Sequence, residues 1–258
     1  MPPSSPSSSP QFQRARGPEA KQHRRRAILD AAAQLARQRG VRAVTLTDIA
    51  DAVGMHKSAM LRYFETREQI FLILTGEGWQ EWANVLHEQL EPRPDQETDA
   101  ERAAVIARVM ARTLRQRPLL CDLLAQAPLN LERNVSLDSL RTSKREMVGQ
   151  VLRIGDLIRR LLPLDEVRAL NVVATATSMA GALWQMAALD TPLRELYESD
   201  PELRCAVVDV EEQLADILTG LMTGYLALEQ PPARAQQPDR ETTGGPRHPT
   251  SPTETRLS

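Results

Sequence analysis

Apolar residues recur along this chain at intervals of three and four, the spacing of one face of an α-helix. Ile28, Ala32, Leu35 and Ala36 form such a stripe across about 23–39, and Gly40 stands where a left-handed C-terminal cap is wanted. Thr45-Leu-Thr-Asp48 then offers a hydroxyl and a carboxylate to the first free N–H groups of a new helix, the spacing of a capping box. That short helix, LTDIADAV, turns Ile49, Ala50 and Val53 inward and ends at Gly54. Another short helix is expected from about Lys57 to Tyr63. Thr66-Arg-Glu-Gln69 is a further capping box, and it opens a longer helix carrying Ile70, Phe71, Leu74, Trp79, Trp82 and Leu86. Later helices are expected over roughly 98–116, 118–126, 133–161, 164–189 and 201–227, separated at Pro118, Pro128, Pro163, Pro192 and Pro201. No segment alternates over a strand length, so the expected fold class is all-α.

The two ends read differently. Residues 1–22, rich in Pro and Ser and then basic, are expected to form a disordered arm, and 229–258, with six prolines, a disordered tail. Between them we expect a head at 23–70 and a body at 71–228, with Pro92 and Pro94 breaking the chain after the long fourth helix. Hydrophobic residues make up 41% of the chain but aromatics only 3%, so the core must be mainly Leu, Ala, Val, Ile and Met. Those residues favour helices.

The formal net charge of −2 is uninformative until it is divided. Residues 14–65 hold eleven Lys or Arg and five Asp or Glu, a charge of +6, which leaves −8 on the rest of the chain. A basic head on an acidic body fits a polyanion-binding head, and it equally fits a solvated charged helix. Cys121 and Cys205 lie in apolar patterns without a CxxC or a Cys/His cluster, so buried free thiols in a reducing cytosol are expected. Residues 169–189 contain no charged residue, but Asn171, Thr175, Thr177, Ser178 and Gln185 interrupt them, as in a helix buried within protein. No apolar signal core opens the chain, and a soluble cytoplasmic protein is expected.

The segment TLTDIADAVGMHKSAMLRYF, residues 45–64, carries the most chemistry. A short helix, a tight turn at Gly54 and a second short helix are the construction of a helix-turn-helix, whose second helix enters the major groove. Small Ala50 permits close approach, and Met55 and Met60 plug the joint. His56, Lys57 and Ser58 stand at the N-terminus of the second helix, where N–H groups and the dipole attract phosphate. Lys57 and Arg62 add charge, Tyr63 adds a hydroxyl, and Thr45 and Thr47 reach phosphate from the first helix. Base reading falls to His56, Ser58, Ala59 and Arg62.

RRRAILDAAAQLARQRGVRAVTLTDIADAVGMHKSAMLRYFETREQIF, residues 24–71, resembles the N-terminal domain of the TetR family of repressors. The matching elements are Ala31 and Leu35, Gly40, Thr45, Ile49-Ala50, Val53-Gly54, Lys57, Tyr63-Phe64 and Arg67-Glu68. The resemblance implies a three-helix DNA-binding head joined to a larger helical body for ligand binding and dimerisation. It also implies that Lys57 and Tyr63, with Thr45 or Thr47, contact backbone phosphates. Two positions depart from the pattern: Leu61 stands where the family often has Tyr, and His56 where a capping Ser or Thr is common.

In the body, residues 164–189 place Val167, Leu170, Ala174, Thr177, Gly181, Trp184 and Ala188 in one row. Residues 203–225 place Leu203, Val207, Val210, Leu214, Ile217, Leu221 and Tyr225 in a heptad-like seam. Periodicity allows either an internal core or an interface. The resemblance favours a homodimer, with Ala174, Gly181, Val210, Leu214, Ile217 and Leu221 at its contact. It also implies an effector pocket, for which Met110, Leu120, Leu124, Met179, Trp184 and Gln185 are candidates beside an ordinary-core reading.

Catalysis is not expected. The four His, at 23, 56, 87 and 248, make no metal-ligand spacing, and HExxH, GxSxG, GxGxxG and P-loop motifs do not occur. No cofactor or metal is called for. The expected partners are an operator duplex, a second copy of the chain and a small-molecule effector, with repression by steric block as the default. A helical adaptor that uses the head only for packing is the rival, separable by its lack of salt-sensitive DNA binding.

Overall fold

A computed structural model describes residues 11–90, 98–187, 189 and 191–229. Its helices are α1 (Gln11–Arg39), α2 (Leu46–Ala52), α3 (Lys57–Met60), α4 (Arg67–Gln89), α5 (Asp99–Arg115), α6 (Pro118–Gln126), α7 (Leu137–Leu161), α8 (Glu166–Ala187), α9 (Pro192–Ser199) and α10 (Val210–Glu229). Short 3₁₀ turns lie at Val41–Ala43 and Arg204–Ala206, and a π turn at Ala127–Leu131 follows α6. No strand occurs among the described residues, and the fold is all-α.

Two apolar cores organise these helices. The head core gathers Ile28, Ala32 and Ala36 of α1, Ile49 and Ala50 of α2, Met60 of α3, Phe64, and Ile70 and Phe71 of α4. Leu123, Ala127 and Leu131, from α6 and the turn after it, close the same core. Each such large side chain removed from water contributes roughly 1.5–3 kcal/mol. The head is therefore seated on the body through apolar contact.

Helix α4 joins the two parts: Ile70 and Phe71 serve the head core, whereas Trp79, Trp82 and Leu86 serve the body core. Trp82 Nε1 donates to Thr113 Oγ1 on α5 at 2.9 Å, satisfying a polar group in a dry core. In the body α10 packs on α5, while α8 packs on α6 and α7. Gly181 permits the α6–α8 approach, because a Cβ there would sit 2.9 Å from Ala125 N.

The structure departs from the sequence reading in five respects. Helix α1 begins at Gln11, so residues 11–22, expected within a disordered arm, are helical. Residues 17–24 are all exposed, and a helix that is polar all round shows no apolar stripe to read. Helix α3 ends at Met60, with the chain continuing as turn to Tyr63. Helix α9 was not anticipated: Pro192, read as a separator, is its first residue, and the Thr191 hydroxyl accepts from Arg194 N.

The fourth departure concerns the dimer seam. Leu203 and Val207 precede α10, which starts only after Asp209 accepts from Glu212 N at 2.9 Å. Val210, Leu214 and Gly181 are buried inside their own chain. As a correction, those three belong to the intramolecular core. Their row faces α5 or α6, which periodicity alone could not distinguish from a partner. Ala174 is exposed, and Ile217 and Leu221 are half-buried.

Fifth, only one cysteine is buried. Cys121 Sγ donates to Leu114 O at 3.2 Å, and burial pushes its thiol up to about 12. Cys205 is exposed in a short turn. No single helix among the described residues is long and apolar enough to cross a membrane. In α8, Val172, Val173, Ala176, Ala180 and Leu183 are buried in the body. The expected arm at 1–10, the break at Pro92 and Pro94, Ala188 and the tail beyond 229 lie outside the described residues.

Candidate nucleic-acid interface

The α2–α3 unit is built from its turn outward. Gly54 has φ 65°, a left-handed conformation that side chains oppose and glycine tolerates. Its N–H donates to Asp51 O at 3.1 Å, and Met55 N donates to Ala50 O at 2.9 Å. Met60 is wholly buried, while Met55 is half-buried against the same core. These contacts fix the two helices and leave their far side open.

That open side carries most of the residues singled out by sequence. Thr47, His56, Lys57, Ser58 and Arg62 are exposed, and Ala59 and Tyr63 are half-buried. The side chains of Thr47, His56, Lys57, Ser58 and Arg62 have no hydrogen bond or ion pair among the described residues. Two cations, two hydroxyls and an imidazole thus face outward. Four-residue α3 has little dipole of its own, so Lys57 and Arg62 supply the positive potential there.

Thr45 takes up the capping part of its expected role. It is exposed, but its hydroxyl donates to Asp48 Oδ2 at 2.6 Å and accepts from Asp48 N at 3.1 Å. Thr45 N also donates to Asp48 Oδ2, at 2.7 Å, completing the anticipated capping box. The hydroxyl and then the N–H of Thr45 hold the Asp48 carboxyl below its ordinary value. Capping therefore occupies Thr45 and leaves Thr47 as the free hydroxyl. At the next helix the expected box is only half formed. Thr66 accepts from Gln69 N at 3.1 Å, but Gln69 Oε1 accepts from Glu65 N rather than Thr66 N.

Three residues position this face without belonging to it. Arg25 Nη1 donates to Tyr63 O at 2.8 Å, and its guanidinium lies 4.3 Å from the centre of the Phe64 ring. Arg67 donates to both Val41 O and Val44 O, and it stacks 4.7 Å from the Phe71 ring centre. Asp122 of α6 accepts from Val41 N at 2.6 Å and from Gln185 Nε2 of α8 at 2.9 Å. Sequence reasoning did not find Arg25 or Asp122. A lone carboxylate in the apolar run LLCDLLAQ was the available signal for Asp122. Leu61 was noted only as a departure, yet it is 56% exposed beside Arg62, where an apolar side chain can meet a thymine methyl.

Five of the six candidate effector residues gather at the body core, and the sixth, Gln185, is exposed. Met110 and Leu120 are buried in that core, and Leu124, Met179 and Trp184 pack against it. Trp184 also lines, with Gln185, an open cleft of about 600 Å³ at the junction of head and body, together with Arg37, Leu119 and Asp122. Leu120 also borders a second open cleft of about 490 Å³, between α1, α4 and α6.

Known proteins resemble the chain in both parts. Residues 28–74 match the model of bacterial regulatory proteins of the tetR family, and residues 77–229 match that of the tetracyclin repressor-like C-terminal domain. No curated protein matches the chain. Solved structures with a similar arrangement include Thermus thermophilus FadR, described as a TetR family transcriptional repressor in complex with lauroyl-CoA. That match has 17% identity and a TM-score of 0.49, and covers 81% of this chain and 98% of the other. A TetR/AcrR family regulator from Thermobifida fusca has 21% identity and a TM-score of 0.45, covering 79% and 98%. FadR from Bacillus subtilis, in complex with stearoyl-CoA, has 15% identity and a TM-score of 0.45, covering 75% and 96%. The second family model alone spans more than half of the sequence, and with its helix-turn-helix head this chain belongs to the TetR family of transcriptional regulators.

Proposed function

We propose that this protein is a homodimeric repressor that reads an operator duplex through its helix-turn-helix and lets go when a small molecule binds its body. The observation that carries this reading is the unpaired, outward set of Thr47, His56, Lys57, Ser58 and Arg62 on a turn fixed by Gly54 and Met60. Lys57, Thr47 and the Tyr63 hydroxyl bind phosphate. His56, Ser58, Ala59, Leu61 and Arg62 meet base edges. Repression follows from steric block, and the proposed site of action is the cytoplasm, where the duplex lies.

The dimer forms through the outward faces of α8 and α10, at Ala174, Ile217, Leu221 and the exposed glycines 220 and 224. A Cβ at either glycine would meet nothing within 4 Å, which leaves room for a partner helix to approach closely. A two-fold axis there sets one head against the other. The effector acts at the cleft lined by Trp184, Gln185 and Asp122. A ligand that engages Asp122 competes with the hydrogen bond its carboxylate accepts from Val41 N, and one that engages Gln185 competes with the bond Gln185 donates to Asp122. By linkage, it lowers DNA affinity by as much as DNA lowers its own.

Selection of bound fragments from random duplex DNA, followed by hydroxyl-radical footprinting, tests the reading. Two protected patches on one face of the duplex, about 34–36 Å apart or a multiple of it, support a paired head. A single patch contradicts the dimer, and failure to enrich any sequence contradicts operator reading.

A further inference from the structure

The exposed stretch of α1 at residues 17–24 is a feature that the helix-turn-helix does not explain. Upstream of Arg26, residues 11–25 hold five Arg or Lys and a single acidic residue, Glu19. Residues 17–24 are all exposed, and Lys21 and Arg24 have no hydrogen bond or ion pair among the described residues. Residues 17–24 contain Gly17 and Pro18, carry no apolar stripe, and none of them belongs to the head core. An isolated helix shorter than about 12–15 residues is marginal in water, and like charges along it make it more so.

Its direction is set by Arg25. That residue donates to Tyr63 O and stacks on Phe64, so α1 passes beside the end of the recognition segment. The fourteen residues before Arg25 extend about 20 Å beyond that point at 1.5 Å per residue. Lys21 lies one turn earlier on the face that Arg25 presents to Tyr63.

We infer that the N-terminal turns of α1, through Lys21 and Arg24, form a second DNA contact that grips backbone phosphates flanking each half-site. The inference rests on the DNA-binding reading above. The occupant is a duplex because the patch is cationic, lacks apolar surface and adjoins Tyr63, itself a proposed phosphate contact. The contact adds affinity and salt sensitivity without adding base specificity.

The test uses the full chain and a duplex selected from a random pool, prepared in two lengths. One ends at the half-site edges, and the other continues ten base pairs further at each end. On the long duplex the double variant Lys21→Ala/Arg24→Ala should lose about 2–4 from the slope of log affinity against log salt, at about 0.9 per phosphate over two protomers. On the short duplex variant and wild type should share one slope, and Lys21→Arg/Arg24→Lys should restore the long-duplex slope. Equal slopes on the long duplex, with Lys57→Ala still weakening binding, would overturn the flanking contact alone. Absence of duplex binding by the wild type would overturn the DNA reading and this inference together. Both positions are exposed and Ala favours helix, so unchanged circular dichroism is expected of the double variant.

Discussion

The carboxylate of Asp122, on α6 of the body, accepts a hydrogen bond from the backbone N–H of Val41 at 2.6 Å, 81 positions back along the chain. Val41 opens the turn that leads from α1 into α2. The other oxygen of the same carboxylate accepts from Gln185 Nε2 at 2.9 Å. One side chain thus ties the entrance of the helix-turn-helix to two body helices. Removing it leaves a half-buried N–H without its charged partner. We expect Asp122→Ala to lower unfolding stability by about 1–3 kcal/mol, seen as a lower urea midpoint. An unchanged midpoint would show that the head is held by its apolar contacts with Leu123, Ala127 and Leu131 alone.

Gly181 controls the same junction from below. A Cβ at 181 would stand 2.9 Å from Ala125 N and 3.2 Å from Ala125 Cα, and backbone atoms cannot swing aside. Gly181→Ala should force α6 and α8 apart at a cost of about 1–3 kcal/mol. It should also weaken the Gln185–Asp122 bond one turn away. A thermal melt matching the wild type would mean that the helices separate freely.

Leu214 and Gly224 separate core from proposed interface on a single helix. Leu214 is fully buried against its own chain, so Leu214→Ala should cost about 2–5 kcal/mol of folding stability. Gly224 is exposed, and Gly224→Glu should divide the dimer while keeping helical content. Sedimentation equilibrium reads the second outcome, and an intact Gly224→Glu dimer would remove this face of α10 from the interface.

The Asp48 carboxyl titrates lower in the folded chain than its ordinary 3.8, because the Thr45 hydroxyl and N–H hold its charged form. A depressed pKa contributes stability above the unfolded value, and that contribution is lost as pH falls through the folded value. Asp48→Asn should therefore be less stable than wild type at pH 7, with the gap closing below pH 3.8. Melting temperatures across pH 7 to 2 would show this. A gap that stays constant with pH would assign the loss to packing.

The head was largely legible because each of its devices is local. Thr45 and Asp48 stand three apart, Gly54 follows one apolar helix, and Met60 reaches back to plug the joint. The family resemblance spans the same stretch. The body was legible as helices but not as an arrangement. Leu214 and Ile217 sit in one periodic seam, yet only the fold shows that the first is buried within its own chain and the second is partly open. Asp122 was invisible for a related reason, since both its partners lie far away in sequence. The stretch of α1 at residues 17–22 was missed because helical residues exposed on every side carry no hydrophobic signature. The effector residues remained the least readable: buried Met110 and cleft-lining Gln185 look alike in a helical pattern.

Operator binding as proposed depends most on Lys57 and its neighbours lying against a duplex. The most direct measurement is the equilibrium affinity of the full chain for a selected duplex across a salt series, for wild type and Lys57→Ala. Wild-type affinity should fall log-linearly with salt, and Lys57→Ala should bind all sequences more weakly with a slope reduced by about 0.9 per lost phosphate contact. A Lys57→Ala protein that keeps wild-type affinity and slope, or a folded wild type that ignores DNA at low salt, would contradict it.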